Sequence, residues 1–119
     1  MIPPPEDLGD AQRFLAALTH LASAIDARAG ADVNVSYTAN LLAEGPAKCA
    51  KKFGEEAVEL IIAVSAQDEQ QVAAEAADAL YHLLVAVRSR AVPLDAIAAA
   101  LEKRQGQSGL TEKASRPKA

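Results

Sequence analysis

The segment Val72-Ala73-Ala74-Glu75-Ala76-Ala77-Asp78-Ala79-Leu80-Tyr81-His82-Leu83-Leu84-Val85-Ala86-Val87 is apolar around most of a helix's circumference, yet it carries two acidic residues and no Lys or Arg. A helix of that composition is normally buried. Burying an unpaired carboxylate costs several kcal/mol, so buried carboxylates are usually paired with a cation or bound to a metal. Glu75 and Asp78 stand three residues apart and so project from one helical face. The same spacing recurs upstream in Glu56 and Glu59.

Pro46 suits the first turn of a helix, which predicts one from there to about Ala66. Asp68 is placed to cap the next, reaching roughly Arg90. The link around Gln67 and Asp68 is short enough to force the two helices antiparallel, as an αα-hairpin. On the first of them Ala50, Phe53, Ala57, Leu60, Ile61 and Val64 form one stripe, expected to face the core. Lys48, Lys52, Glu55, Glu56 and Glu59 gather on the other side. By itself this is an ordinary amphipathic helix with a solvated charged face. Beside Glu75 and Asp78, however, Glu56 and Glu59 complete a set of four oxygen donors that can converge. With no Cys among them, such a set specifies a hard cation, Mg²⁺ or Mn²⁺, over Zn²⁺ or a redox metal. Bound Mg²⁺ usually acts on substrate phosphates.

His82 lies one turn beyond Asp78 on the same face. It is either a ligand or proton carrier, or a partly buried histidine hydrogen-bonded to a neighbour. Neither carboxylate pair has the Glu-x-x-His form of di-iron bundles. Lys48 and Lys52 are one turn apart on the carboxylate side. Lys52 either pairs with Glu56 at i to i+4 or neutralises outer phosphates beyond a metal's reach. His20, on the first helix, reads as surface or core filler.

Around the hairpin the chain reads as an all-α bundle of about four to five helices. Phe14, Leu15, Leu18, Leu21, Ala22 and Ile25 recur at helical spacing from about Asp10 to Arg28, and Gly30 suits the stop. Residues 31–35 form a loop, Ser36 caps a short helix through Leu42, and Gly45 with Pro46 breaks it. Pro93 opens a last helix through about Arg104. The domain is expected over residues 8–105, between a Pro-rich arm at 1–7 and a polar tail at 106–119.

A chain of 119 residues fits one domain. Half its residues are hydrophobic but only 3% aromatic, and Ala supplies much of that half, so the core is built from thin helices. Such helices gain from packing against a second copy, and a homodimer is expected. The net charge of −4 argues against polymeric nucleic acid as a partner. A single cysteine, Cys49, suits a reducing compartment and reads as a small buried hydrophobe. No signal peptide and no apolar run of bilayer-spanning length is present, which excludes membrane partners and leaves the cytoplasm as the expected location.

Glu56-x-x-Glu59 followed by Glu75-x-x-Asp78 resembles the signature of the all-α nucleoside triphosphate pyrophosphohydrolases, the MazG-like superfamily. Ser36-Tyr37-Thr38, Lys48, Lys52-Phe53-Gly54-Glu55-Glu56, Ala77-Asp78-Ala79-Leu80-Tyr81-His82 and the tail Gly106 to Arg116 are similar to its phosphoribosyl-ATP pyrophosphohydrolase family. The resemblance spans roughly Leu8 to Arg116. It implies Mg²⁺-dependent hydrolysis of phosphoribosyl-ATP to phosphoribosyl-AMP and pyrophosphate in histidine biosynthesis, with Glu56, Glu59, Glu75 and Asp78 as metal ligands. Under that reading Glu55 either orients or deprotonates the attacking water or is a solvated partner of a lysine. Hydroxyls of Ser36, Tyr37 and Thr38 face the substrate, with a plain helix cap as the other reading of Ser36. Lys48, Lys52 and, from the tail, Ser108, Lys113 and Arg116 suit phosphate contacts. Two rival readings are a housecleaning pyrophosphohydrolase of non-standard nucleoside triphosphates and a non-catalytic helical assembly domain.

Overall fold

Four sequence punctuation points set the helix boundaries. Ser36 Oγ accepts a hydrogen bond from the Ala39 N–H at 3.1 Å, satisfying one of the free donors of a helix's first turn. Gly45, at φ 95°, occupies a backbone region open to glycine, and Pro46 follows at the first helical position. The Asp68 carboxylate accepts from the Gln71 N–H at 2.9 Å while the Gln71 side chain accepts from the Asp68 N–H at 3.4 Å, a reciprocal capping box. Pro93 precedes the last helix.

The structure, a computed structural model, describes residues 8–105 and Pro117. Among the described residues there are five helices and no strand: α1 (Leu8–Arg28), α2 (Tyr37–Glu44), α3 (Pro46–Ala66), α4 (Glu69–Ser89) and α5 (Leu94–Lys103). The expected all-α bundle is what the chain forms, with helix boundaries within two residues of those read from the sequence. The arm at 1–7 and most of the tail at 106–119, with Ser108, Lys113 and Arg116, lie outside the described residues.

The α3–α4 hairpin is the most extensive helix pair; α2 lies against both of its members, and α1 against α4 and α2. The core sits where these four meet, on Ile25, Leu41, Cys49 and Val85, with Leu21, Leu42, Tyr81 and Leu84 packed around them. Cys49 is the small buried residue expected of it, and its thiol donates to the Leu41 carbonyl at 3.1 Å, tying α3 to α2. On the rim, Arg88 Nε meets Asp26 Oδ1 at 2.9 Å and ties α4 to α1.

The core stripe of α3 is rotated from the one predicted. Cys49 and Ala63 are its buried residues, Phe53, Ala57 and Leu60 are half-buried, and Ile61 and Val64 stand 62% and 66% exposed. Small side chains explain the shift, because interaxial distance is set by the residues at the contact, and Cys49, Ala63 and Ala79 let α3 and α4 approach closely. The branched aliphatics are left on the outer face. α4 also departs from the all-round burial expected of it. Its second half buries Ala79, His82 and Val85, but in its first half Ala73, Ala74, Ala77 and Asp78 are exposed.

Asp68→Ala removes the cap that starts α4 and should lower unfolding stability by about 1 kcal/mol, read as a urea midpoint shift without a change in slope. An unchanged midpoint would mean that the hairpin turn is set by packing alone.

Candidate active site

Antiparallel pairing carries chemistry because it sets the middle of α3 against the first half of α4. One carboxylate oxygen from each of Glu56, Glu75 and Asp78 lies within 4.8 Å of the others. Glu56 and Glu75 are half-buried, and Asp78 is exposed. The carboxylates therefore line an open face rather than a buried interior, which corrects the burial expected from the composition of α4. None of the three is in an ion pair with another described residue. Three convergent carboxylates with no neutralising Lys or Arg fit a divalent cation, since the donors are all hard oxygens.

Glu59 falls outside this group of three, but its negative charge acts on Glu75. The Glu75 carboxyl is held above the usual carboxylate value, first by desolvation and then by the charges of Asp78, Glu59 and Glu56. The other three acids singled out in the sequence thus all act on Glu75, while three of the four share the tight cluster.

The flanking residues divide. Lys52 Nζ lies 3.4 Å from Glu55 Oε2, so the lysine pairs at i+3 with Glu55 and not at i+4 with Glu56. Its ammonium is stabilised chiefly by Tyr37 and by this hydrogen bond, which raises its pKa. Glu55 has the lysine partner that was one of its two readings; Lys48 is exposed on the first turns of α3. Ser36 acts as a helix cap. Tyr37 keeps 54% of its surface exposed, with Lys52 and Glu56 among the charges acting on its phenol. Burial is the largest influence on that phenol and raises its pKa.

His82 is only 7% exposed and packs edge-on against two rings, at centroid distances of 4.9 Å to Tyr81 and 6.1 Å to Tyr37. Burial lowers its pKa, partly offset by the negative charges of Glu56, Asp78 and Glu55. It is a buried histidine held by aromatic edges rather than by a hydrogen bond to a described neighbour. Thr38, also read as offering its hydroxyl outward, is 3% exposed and bonded to the Tyr81 hydroxyl at 2.5 Å. Tyr81 was missed as a site residue. The signal was present, because a tyrosine in an apolar helix needs a partner for its hydroxyl.

The raised Glu75 pKa has a definite consequence for stability. A carboxyl that holds its proton more tightly when folded contributes a penalty that is absent in acid and grows as pH rises through the ordinary carboxylate value toward the raised folded one. Glu75→Gln removes that charge, so at neutral pH without metal its thermal midpoint should equal or exceed that of the wild type, the difference vanishing in acid. Mg²⁺ should raise the wild-type midpoint and not the variant's. A variant melting well below the metal-free wild type would make Glu75 a structural residue.

With the geometry in place, comparison with known proteins is specific. Residues 18–105 match the family model described as phosphoribosyl-ATP pyrophosphohydrolase. Proteins named phosphoribosyl-ATP pyrophosphatase are similar over nearly their whole lengths. The one from Ruegeria pomeroyi is 55% identical, covering 85% of this chain and 96% of the relative. The one from Jannaschia sp. is 59% identical, covering 83% and 97%. That from Cereibacter sphaeroides is 54% identical, covering 86% and 99%. The chain belongs to the phosphoribosyl-ATP pyrophosphohydrolase family.

Proposed function

We propose that the chain hydrolyses phosphoribosyl-ATP to phosphoribosyl-AMP and pyrophosphate in histidine biosynthesis, with Mg²⁺, or Mn²⁺ in its place, as the metal. The observation that carries the reading is the triad of unpaired carboxylates on the α3–α4 hairpin of a chain in this family. In the net reaction water adds across the anhydride between the α and β phosphates, one product keeps the α phosphate, and pyrophosphate leaves. The protein has little covalent work in such a step, so catalysis rests on positioning and charge.

Glu56, Glu75 and Asp78 would hold the metal, and Glu59, whose charge acts on Glu75, is the fourth candidate ligand. The ion would supply positive charge against the phosphates and acidity for water. Lys52, whose ammonium interacts with Tyr37 and Glu55, would neutralise phosphate charge outside the metal's reach, as would Lys48 one turn earlier; the sequence alone proposes Lys113 for the same role. Glu55 is the candidate to orient or deprotonate the attacking water once a phosphate draws Lys52 from it. Tyr37 offers an exposed ring and hydroxyl at the same edge, and Ser36 can donate its hydroxyl proton while its oxygen caps α2.

The working unit is a homodimer in this reading. α5 approaches no other helix, none of its residues is buried, and Leu94 and Leu101 are exposed, as are Ile61 and Val64 of α3 and Phe14 and Leu15 of α1. The Cα radius of gyration is 16.5 Å, against about 13 Å for a compact chain of about 100 residues. A second copy covering these faces accounts for both. The cytoplasm remains the proposed location; no helix among the described residues is long and apolar enough to cross a membrane.

Pyrophosphate release from phosphoribosyl-ATP should require Mg²⁺ and cease with a chelator. Faster hydrolysis of simple nucleoside triphosphates would instead favour the housecleaning reading. Glu56→Gln and Asp78→Asn should each lower kcat/KM by about a hundredfold or more. Sedimentation equilibrium should give twice the 12.4 kDa chain mass at micromolar concentration, and a stable monomer would contradict the dimer.

A further inference from the structure

A buried hydroxyl and a half-buried one, far apart in sequence, satisfy each other. Thr38 sits in the first turn of α2 at 3% exposure, and its Oγ1 is 2.5 Å from the hydroxyl of Tyr81 on α4. Each group taken from water without a partner would cost free energy, so neither is readily given up. The Tyr81 ring is packed against the core cluster of Ile25, Leu41, Cys49 and Val85, which makes it the fixed end of the pair.

Thr38 is the residue after Tyr37, and Tyr37 in turn lies on Tyr81 with near-parallel rings, 6.4 Å between centroids and 20° between planes. The Tyr37 ring also meets the edge of His82. One side of Tyr37 is thereby held while the rest faces solvent, and the charges of Lys52 and Glu56 act on its phenol. Among the described residues, the Thr38–Tyr81 bond is the one side-chain hydrogen bond from α2's first turn to α4.

We infer that the Thr38–Tyr81 hydrogen bond is a latch that fixes the Tyr37 ring as one wall of the substrate site, Tyr81 acting as a positioning residue through Tyr37. The inference deepens the proposed phosphoribosyl-ATP reaction and rests on it for its kinetic consequence. The latch holds Tyr37 in place before substrate arrives, so ring freedom need not be lost on binding. The carboxylate cluster of Glu56, Glu75 and Asp78 contains neither latch residue and is left unaltered by its loss. Deleting the latch should therefore weaken substrate binding more than it slows the chemical step.

The chain has two tyrosines and no tryptophan, so aromatic-ring NMR reads both partners directly. In the wild type the Tyr37 ring signals should lie well away from free-tyrosine positions, owing to Tyr81 and His82. Thr38→Val, which keeps the shape and loses the hydroxyl, should move them toward the free values, and Thr38→Ser should restore them. With phosphoribosyl-ATP, Tyr81→Phe and Thr38→Val should raise KM about five- to tenfold with kcat within about twofold, and Thr38→Ser should stay near wild type. In a Tyr37→Ala background Tyr81→Phe should add little, because its effect passes through Tyr37. Unchanged Tyr37 signals in Thr38→Val would overturn the latch. Changed signals with unchanged KM, or a Tyr81→Phe effect that persists without Tyr37, would overturn its positioning role. Absent wild-type turnover would instead sink the reaction assigned above, with the NMR arm still deciding the latch.

Discussion

Like charge held face to face is the constraint around which this chain is arranged. The two-residue link at Gln67 and Asp68 obliges α3 and α4 to run antiparallel, and Cys49, Ala63 and Ala79 let them come close. In that arrangement Glu56 of one helix meets Glu75 and Asp78 of the other, with Glu59 near enough to act on Glu75. No Lys or Arg among the described residues forms an ion pair with the group, so the hairpin carries an electrostatic cost that a divalent cation would relieve. The stabilisation comes from elsewhere: the apolar cluster of Ile25, Leu41, Cys49 and Val85 is supplied by α1, α2, α3 and the far half of α4. Core and carboxylates thus occupy opposite halves of α4, which lets the site be frustrated without unpacking the bundle.

Much of this was legible because the chain is punctuated by residues whose local effect is strong. Ser36, Gly45–Pro46, Asp68 and Pro93 act within a turn of themselves, and α2 to α5 begin where they place them. The convergence of the acids was legible for a related reason, since spacing of three within helices and a short link between them leave little geometric choice. Facing was harder. Hydrophobicity singled out Ile61 and Val64 as core, whereas close approach of the backbones selected the smaller Cys49 and Ala63. Size at a helix contact outweighs apolarity here, and periodicity alone does not carry that information.

Pairings between distant residues were illegible in a different way. Thr38 and Tyr81 are forty-three positions apart, and the motif containing Thr38 suggested a hydroxyl turned to substrate. The fold turns it inward to Tyr81 and leaves its neighbour Tyr37 more than half exposed. Lys52 offered two partners one turn away, and the shorter reach to Glu55 was the one taken. Such choices depend on rotamers and on burial by α2, which arrives from another part of the chain.

The proposed chemistry requires Glu56, Glu75 and Asp78 to form one divalent-cation site across the α3–α4 hairpin. Its most direct test is a crystal of the wild-type protein soaked in Mn²⁺, with the ion located by anomalous scattering. A peak within coordination distance of oxygens from Glu56, Glu75 and Asp78 together is the predicted result. Crystals of active protein with no peak there, or with Mn²⁺ bound at other residues, would contradict it.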